Sequence, residues 1–463
     1  MKSIKKAIRV GRDATAFGAY PDAVSAEGLV FTSGTRARSQ GRGFAALPDA
    51  ARGKAQGFGL VDRYEGAVSE GAWEAHASLE DVLQAAGSDN SQILRQHVWQ
   101  KDKRFFPCYE AVRIHWQPTP SPSSGLGVSH IPGEGTQWIG IDAIAVAPGE
   151  NPRFGKRAVL AAVDQAALPS ASHYSQAVQS GPLVFTAGHI AIKTSEPGKP
   201  VVQGFDDVPP EGRALATGRS HPDSRDGPIA AQAWYVYKQL EELLARGGLG
   251  LKDVILSTVY LSDLRDFAVF HRVHRQFFPD AASGPALCVS AFDEVGHRGC
   301  RIEIELTAVD PKADIEVRST GWSVPAPHAG PGAVGVGPFV FCAGMVGLGR
   351  DGRLVLGAGD LSGEELALAA GGTPFEGRDA VTAAQSLAAL LRLKETLALA
   401  GASLDGLVKL TLYVGQMGDL EVFEHVRAKV LNSAELPAFE CVCVHGPGPV
   451  PEANIQLEAI AVR

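Results

Sequence analysis

The sequence predicts an α+β protein made of three copies of one module, each a mixed sheet with two helices on one face, folded together as a trimer within a single chain. Two repeated strand motifs and a repeated order of elements predict it. The first motif reads Leu29-Val-Phe-Thr-Ser-Gly34, Leu183-Val-Phe-Thr-Ala-Gly188 and Phe339-Val-Phe-Cys-Ala-Gly344, so its glycines stand at positions 34, 188 and 344. The second closes each copy: IDAIAV ending at Val146, IELTAV ending at Val309 and LEAIAV ending at Val462. Self-similarity at a fixed spacing marks a chain assembled from repeated units.

The elements follow in order. The opening run is apolar, β-branched and aromatic and is closed by glycine, which reads as a strand. A loop rich in Gly, Pro and Asp comes next, at 36–71, 193–226 and 349–378. Helical spacing follows over 229–246, where Trp234, Tyr237, Leu240 and Leu244 share a face and Gly247-Gly248 stops the helix. The matching helices are expected at 73–86, before Gly87, and 380–400, before Gly401. A second strand is expected at 97–99, 257–261 and 409–414. Second helices at 267–277 and 420–430 start after Asp266 and Asp419, which can satisfy their free amides. Two closing strands complete a ββαβαββ order, which gives one sheet with both helices on one face. The other face needs cover, and three sheets closing on one another would supply it. The boundaries expected are repeat one at 1–150, a linker at 151–170, repeat two at 171–310, a linker at 311–326 and repeat three at 327–463.

Composition limits the function. A 463-residue chain that is 45% hydrophobic and 20% charged can fill several cores. A net charge of −8 argues against nucleic acid as a partner. No apolar run reaches the ~18 residues of a membrane span. Six cysteines without a CxxC pair fit neither a zinc site nor a disulfide framework, so a reducing cytoplasm is expected. No phosphate-binding or dinucleotide motif occurs in a credible context, and no cofactor or metal is expected.

The run Tyr174-Ser-Gln-Ala-Val, LVFTAG, a helix ending in Gly-Gly, TVYLSDLRDFAVF, GPALCVSA and IEIELTAV resembles the Rid (reactive intermediate deaminase, YjgF-like) family. Copy three repeats it with FVFCAG, LPAFECVCV and IQLEAIAV. The resemblance implies a chorismate-mutase-like module, ligand clefts between neighbouring modules, and hydrolysis of imines or enamines derived from amino acids. It also implies an arginine after a Pro-Ala strand start that clamps the substrate carboxylate, and a last-strand glutamate that positions water. On that pattern the clamp position holds Phe439, Leu287 and Gly125, and the glutamate position holds Gln456, Glu303 and Gly140. Neither Leu, Phe nor Gly replaces a guanidinium fork.

Remaining polar residues are the candidate site. Lys101, Lys103 and Arg104 put three cations in four residues beside a cleft, suited to an anionic substrate; Arg113 is an alternative clamp. Tyr20 and Tyr174 match a cleft tyrosine of the family, and Ser33 can donate to a substrate oxygen. His189 follows FTAG, where an imidazole can carry protons near neutral pH, and Glu303 is the one retained acid. His271 and His274 stand three apart with no third ligand evident. These readings point to a pseudo-trimeric enzyme, lyase- or hydrolase-type, acting on a small anionic carbonyl or imine metabolite, as a monomer or a dimer. A non-catalytic ligand-binding or regulatory protein and a residual deaminase are the alternatives.

Overall fold

The computed structural model describes residues 5–10, 19–38, 40–55, 64–133, 135–154, 157–159, 173–216, 226–369 and 376–463. Three sheets share one strand order. In repeat one the sheet runs Lys5–Ile8, Ala23–Ala26, Leu29–Thr32, Ile139–Val146, Ile93–Gln100, Ser123–Gly127. In repeat two it runs Arg157–Val159, Ala177–Ser180, Leu183–Thr186, Ile302–Val309, Val254–Leu261, Ala286–Ala291. In repeat three it runs Val317–Thr320, Ala333–Val336, Phe339–Cys342, Ile455–Val462, Leu407–Val414, Ala438–Cys443. Each central strand (93–100, 254–261, 407–414) pairs antiparallel with the last strand and parallel with the strand after the second helix.

The paired helices are Glu65–Ala85 with Phe106–Trp116, Asp226–Arg246 with Phe267–Phe277, and Gly377–Leu399 with Gly418–Val430. The structure differs from the sequence reading in two places. The first helix of repeat one begins at Glu65, well before 73. Gly66 and Gly71 weaken helix propensity there, yet Val68, Ala72, Ala75 and Leu79 fall at helical spacing and are buried in the repeat's outer core. The segments expected as linkers also add an edge strand each, Arg157–Val159 and Val317–Thr320. Most of segment 151–170 otherwise lies outside the described residues.

Each repeat has its own core between sheet and helices. Two further cores belong to no single repeat. One joins Phe31, Phe185 and Phe341, the same position of the first motif in all three copies. The other joins Trp99, Tyr260 and Tyr413, the same position of the three central strands. The sheet faces away from the helices are therefore buried against one another, and the chain is an intramolecular pseudo-trimer.

Between these two apolar layers lies a charged one. Arg95 sits 3.1 Å from Glu305, and His97 bridges Glu305 at 3.1 Å and Asp142 at 3.4 Å. Lys409 of repeat three reaches Asp142 at 2.9 Å. Burial opposes charge on His97, but Glu305 and Asp142 outweigh it and push the imidazole up to about 10, so it is a cation. Residues of all three repeats thus neutralise one another at the axis.

The sheets meet along three seams, and the repeated glycines stand on them. The Gly34 amide donates to the Phe439 carbonyl (3.0 Å), Gly188 to Ser123 (3.3 Å) and Gly344 to Leu287 (3.1 Å). Repeat one leans on three, two on one, and three on two, which closes the ring. A Cβ would press on the Glu440 carboxylate across the seam at Gly34, and on the same repeat's Glu303 carboxylate and Gln456 amide at Gly188 and Gly344, so these side chains would have to shift. Gly344→Ala is expected to cost about 1–3 kcal/mol; a thermal midpoint equal to the parent's would contradict this contact.

Candidate functional site

Register identifies equivalent positions on the seams. Trp99, Tyr260 and Tyr413 pair with Gly140, Glu303 and Gln456. Three residues earlier on the central strands, Gln96, Ser257 and Leu410 face Ser123, Leu287 and Phe439 on the parallel strands. The first-copy equivalent of Leu287 and Phe439 is therefore Ser123, not Gly125. Repeat one starts this strand directly after Pro122, one position later than Pro285 and Pro437 stand in the other copies, and the proline misplaces the alignment.

The one–three seam is closed. Phe439 stacks on Tyr20 with centroids 4.1 Å apart and planes 8° from parallel. The Tyr20 hydroxyl donates to Glu424, and Arg427 lies over its ring at 5.2 Å. Ser33 is fully occupied: its hydroxyl donates to the Pro21 carbonyl at 2.7 Å and accepts from the Phe439 amide at 2.7 Å. Arg36 fills the space left by Gly140, where a Cβ would strike its guanidinium, and pairs with buried Glu440. A cation and an acid are both here, but they face each other and leave no charge for a ligand.

The three–two seam is also filled. The Gln456 amide donates to the Val289 carbonyl (3.1 Å) and Ser290 hydroxyl (2.9 Å) of repeat two, beside Leu287. Where the other seams place a tyrosine against a Glu/Arg pair, this one places His328 against His271 and His274. The Tyr237 hydroxyl meets His274 Nδ1 at 2.7 Å, and the Ala329 amide donates to His271. Among the described residues no group of three His, Cys, Asp or Glu side chains is set to hold a metal. Burial, then neighbouring imidazoles, hold His274 down to about 3; burial holds His328 down to about 4 and also lowers His271. Folded-state values below the unfolded 6.5 mean that the unfolded chain takes up protons first. Stability from this seam is whole above pH ~6.5 and falls as the pH drops toward 4. Melts between pH 7 and 4.5 should show a steeper acid loss in the parent than in His274→Phe; parallel curves would contradict it.

The two–one seam is different. Asp102 caps the short turn Lys103–Phe105 through the Arg104 amide (2.9 Å), which aims Lys103 at the seam. From repeat two, Glu294–Val295 pairs with Leu126 and Gly127, and the Glu294 carboxylate accepts from the Lys103 amide at 2.8 Å. The half-buried Lys103 ammonium donates to the Gly125 carbonyl, and its foremost charged neighbour is Glu303 of repeat two. Desolvation lowers the Lys103 pKa. Glu303 is 4% exposed; burial raises its carboxyl to about 7, against the pull of Lys103. Tyr174 is half-buried beside Glu303, whose charge adds to burial in raising the phenol. Cys300 and His297 of repeat two border the same lysine. At the position of Lys103 the other turns carry Leu264 and Met417, both apolar.

The remaining candidates are otherwise engaged. Lys101 is exposed over the Trp138 ring. Arg104 is exposed and folds back on Asp102 at 3.0 Å, as Arg265 does on Asp263 in repeat two, so the pairing belongs to the shared turn. Arg113 is buried against Glu110 at 3.0 Å and donates to the His173 carbonyl, holding the segment that carries Tyr174. His189 is buried, with Nδ1 on its own Ala187 carbonyl at 3.0 Å; burial lowers its pKa, and Lys103 and Glu303 are not among the groups acting on it. Sequence reasoning missed Arg36, Glu440, His297 and Cys300, because seam contacts between distant segments leave no local pattern.

A family model described as Endoribonuclease L-PSP matches residues 216–310 and 362–463, the helix-to-last-strand parts of repeats two and three. A structure from Klebsiella pneumoniae described as a candidate endoribonuclease is 33% identical; it covers 30% of this chain and all of its own, with a TM-score of 0.28. The chain belongs to the Rid family. A RutC family protein of Synechocystis is 28% identical to the Rid chain over 140 residues, 30% of this chain and 86% of the relative. A protein of Escherichia coli named as a candidate reactive intermediate deaminase, TdcF, is 28% identical over 107 residues, 23% of this chain and 63% of the relative. Each relative spans about one repeat. Among the described residues no helix is long and apolar enough to cross a membrane.

Proposed function

We propose that this Rid chain is an enzyme acting on a small anionic carbonyl- or imine-type metabolite, and that the chemistry is confined to the two–one seam. One observation carries the reading. Lys103 and Glu303 come together there beside Tyr174, while the equivalent positions hold Met417 and Gly140 at the one–three seam and Leu264 and Gln456 at the three–two seam. With Ser123, Leu287 and Phe439 at the clamp position, Lys103 supplies the cation, as a point charge in place of a fork. Glu303, near neutrality, passes protons between a water and the substrate nitrogen. Water adds to the imine carbon, and the nitrogen leaves as ammonia. Six free, buried cysteines suit a cytoplasmic setting.

The test is hydrolysis of imines produced in place by an amino-acid oxidase. Acceleration over buffer is expected, and its absence would leave a ligand-binding protein. If Glu303 acts as the base, the rate should climb through about pH 7 and then level off, and Glu303→Gln should remove that limb. A profile flat from pH 6 to 8 in the parent would rule Glu303 out as the proton carrier.

A further inference from the structure

We infer that Lys103 is an amine nucleophile that forms a covalent imine with the carbonyl carbon of a small 2-oxo acid bound in the two–one seam. The inference rests on the reading of that seam as the working site and specifies its substrate class. Three observations carry it. Lys103 donates to a neutral acceptor, the Gly125 carbonyl, and among the described residues no carboxylate lies within ion-pairing distance of its ammonium. The turn that presents it is pinned from both sides, by Asp102 within repeat one and by Glu294 from repeat two, so the amine is held by the fold and not by a counter-ion. A buried carboxyl, Glu303, stands close enough to act on it electrostatically. A desolvated lysine beside a proton carrier is the arrangement that amine catalysis uses.

The step balances within the seam. The Lys103 ammonium passes a proton through an intervening water to the Glu303 carboxylate, which frees the amine. The nitrogen lone pair bonds to the carbonyl carbon as the carbonyl π pair moves to oxygen, and that oxygen takes the proton held by Glu303. One of the two protons left on the nitrogen passes through Glu303 to the hydroxyl, which leaves as water, and the carbon–nitrogen double bond closes as a protonated imine. Water reverses the sequence. An incoming imine exchanges in the same way, with ammonia as the leaving group in place of water.

Incubating the whole chain with pyruvate and cyanoborohydride at pH 7.4 traps such an adduct as a secondary amine, which peptide mass mapping locates. The expected result is one adduct on Lys103, formed roughly tenfold or more faster than on exposed Lys101, because an ordinary lysine with a pKa near ~10.4 is almost wholly protonated at that pH. Lys103→Arg keeps the charge and should lose this adduct while labelling of Lys101 stays unchanged; its unfolding midpoint checks the fold. Labelling of Lys103 no faster than Lys101 overturns the inference. If Lys103→Met also abolishes imine hydrolysis in that case, the seam remains the active site with Lys103 as a non-covalent clamp.

Discussion

Lys103→Met is expected to lower kcat/KM for imine hydrolysis by about 100-fold or more, with the unfolding midpoint unchanged. Removing one charge aimed at a reacting group in a water-poor site costs on that order. Methionine already stands at the equivalent position of repeat three, as Met417, so the turn accepts the side chain and the loss reports chemistry. Met cannot hold an anion, and it also relieves the pull that keeps Glu303 acidic, so that carboxyl should titrate higher still. The residual activity should therefore shift to higher pH as well as fall. Equal activity in parent and variant from pH 6 to 9 would remove Lys103 from the mechanism.

Glu305→Ala is expected to cost about 3–5 kcal/mol, because breaking a buried pair strands the partner's charge. Two cations depend on this carboxylate: Arg95 at 3.1 Å and His97 at 3.1 Å. Both come from repeat one, while Glu305 belongs to repeat two. Loss of the carboxylate also lets the His97 imidazole fall from about 10 toward neutrality. His97 stabilises the fold fully below its unfolded value of 6.5, and that contribution is lost as the pH rises through about 10. The parent should therefore weaken at alkaline pH, and the variant should weaken less. Denaturant unfolding followed by the fluorescence of Trp99, which hydrogen-bonds Asp142 and Glu440 on the same axis, reads both effects. A midpoint shift equivalent to under ~1 kcal/mol would contradict an axis held by these charges.

The sequence made the scaffold legible because each copy restates it. Glycines 34, 188 and 344 recur where a Cβ would crowd Glu440, Glu303 and Gln456, and Phe31, Phe185 and Phe341 recur since they share one core. What differs between copies was harder to read. Lys103, Glu303 and Tyr174 were visible as polar residues, but only the ring order of the repeats brings them together. Arg113 and His189 carry the same chemistry on paper, and burial against Glu110 and Ala187 engages them elsewhere. Arg36 was hidden because its partner, Glu440, lies in another repeat.

The proposed chemistry requires one seam to be equipped and two to be filled. A crystal structure of the chain with a bound, unreactive analogue of a 2-oxo acid tests that most directly. One analogue per chain is predicted, in contact with Lys103, Glu303 and Tyr174. Analogue between Tyr20 and Phe439, or beside Leu287 and Gln456, would contradict it.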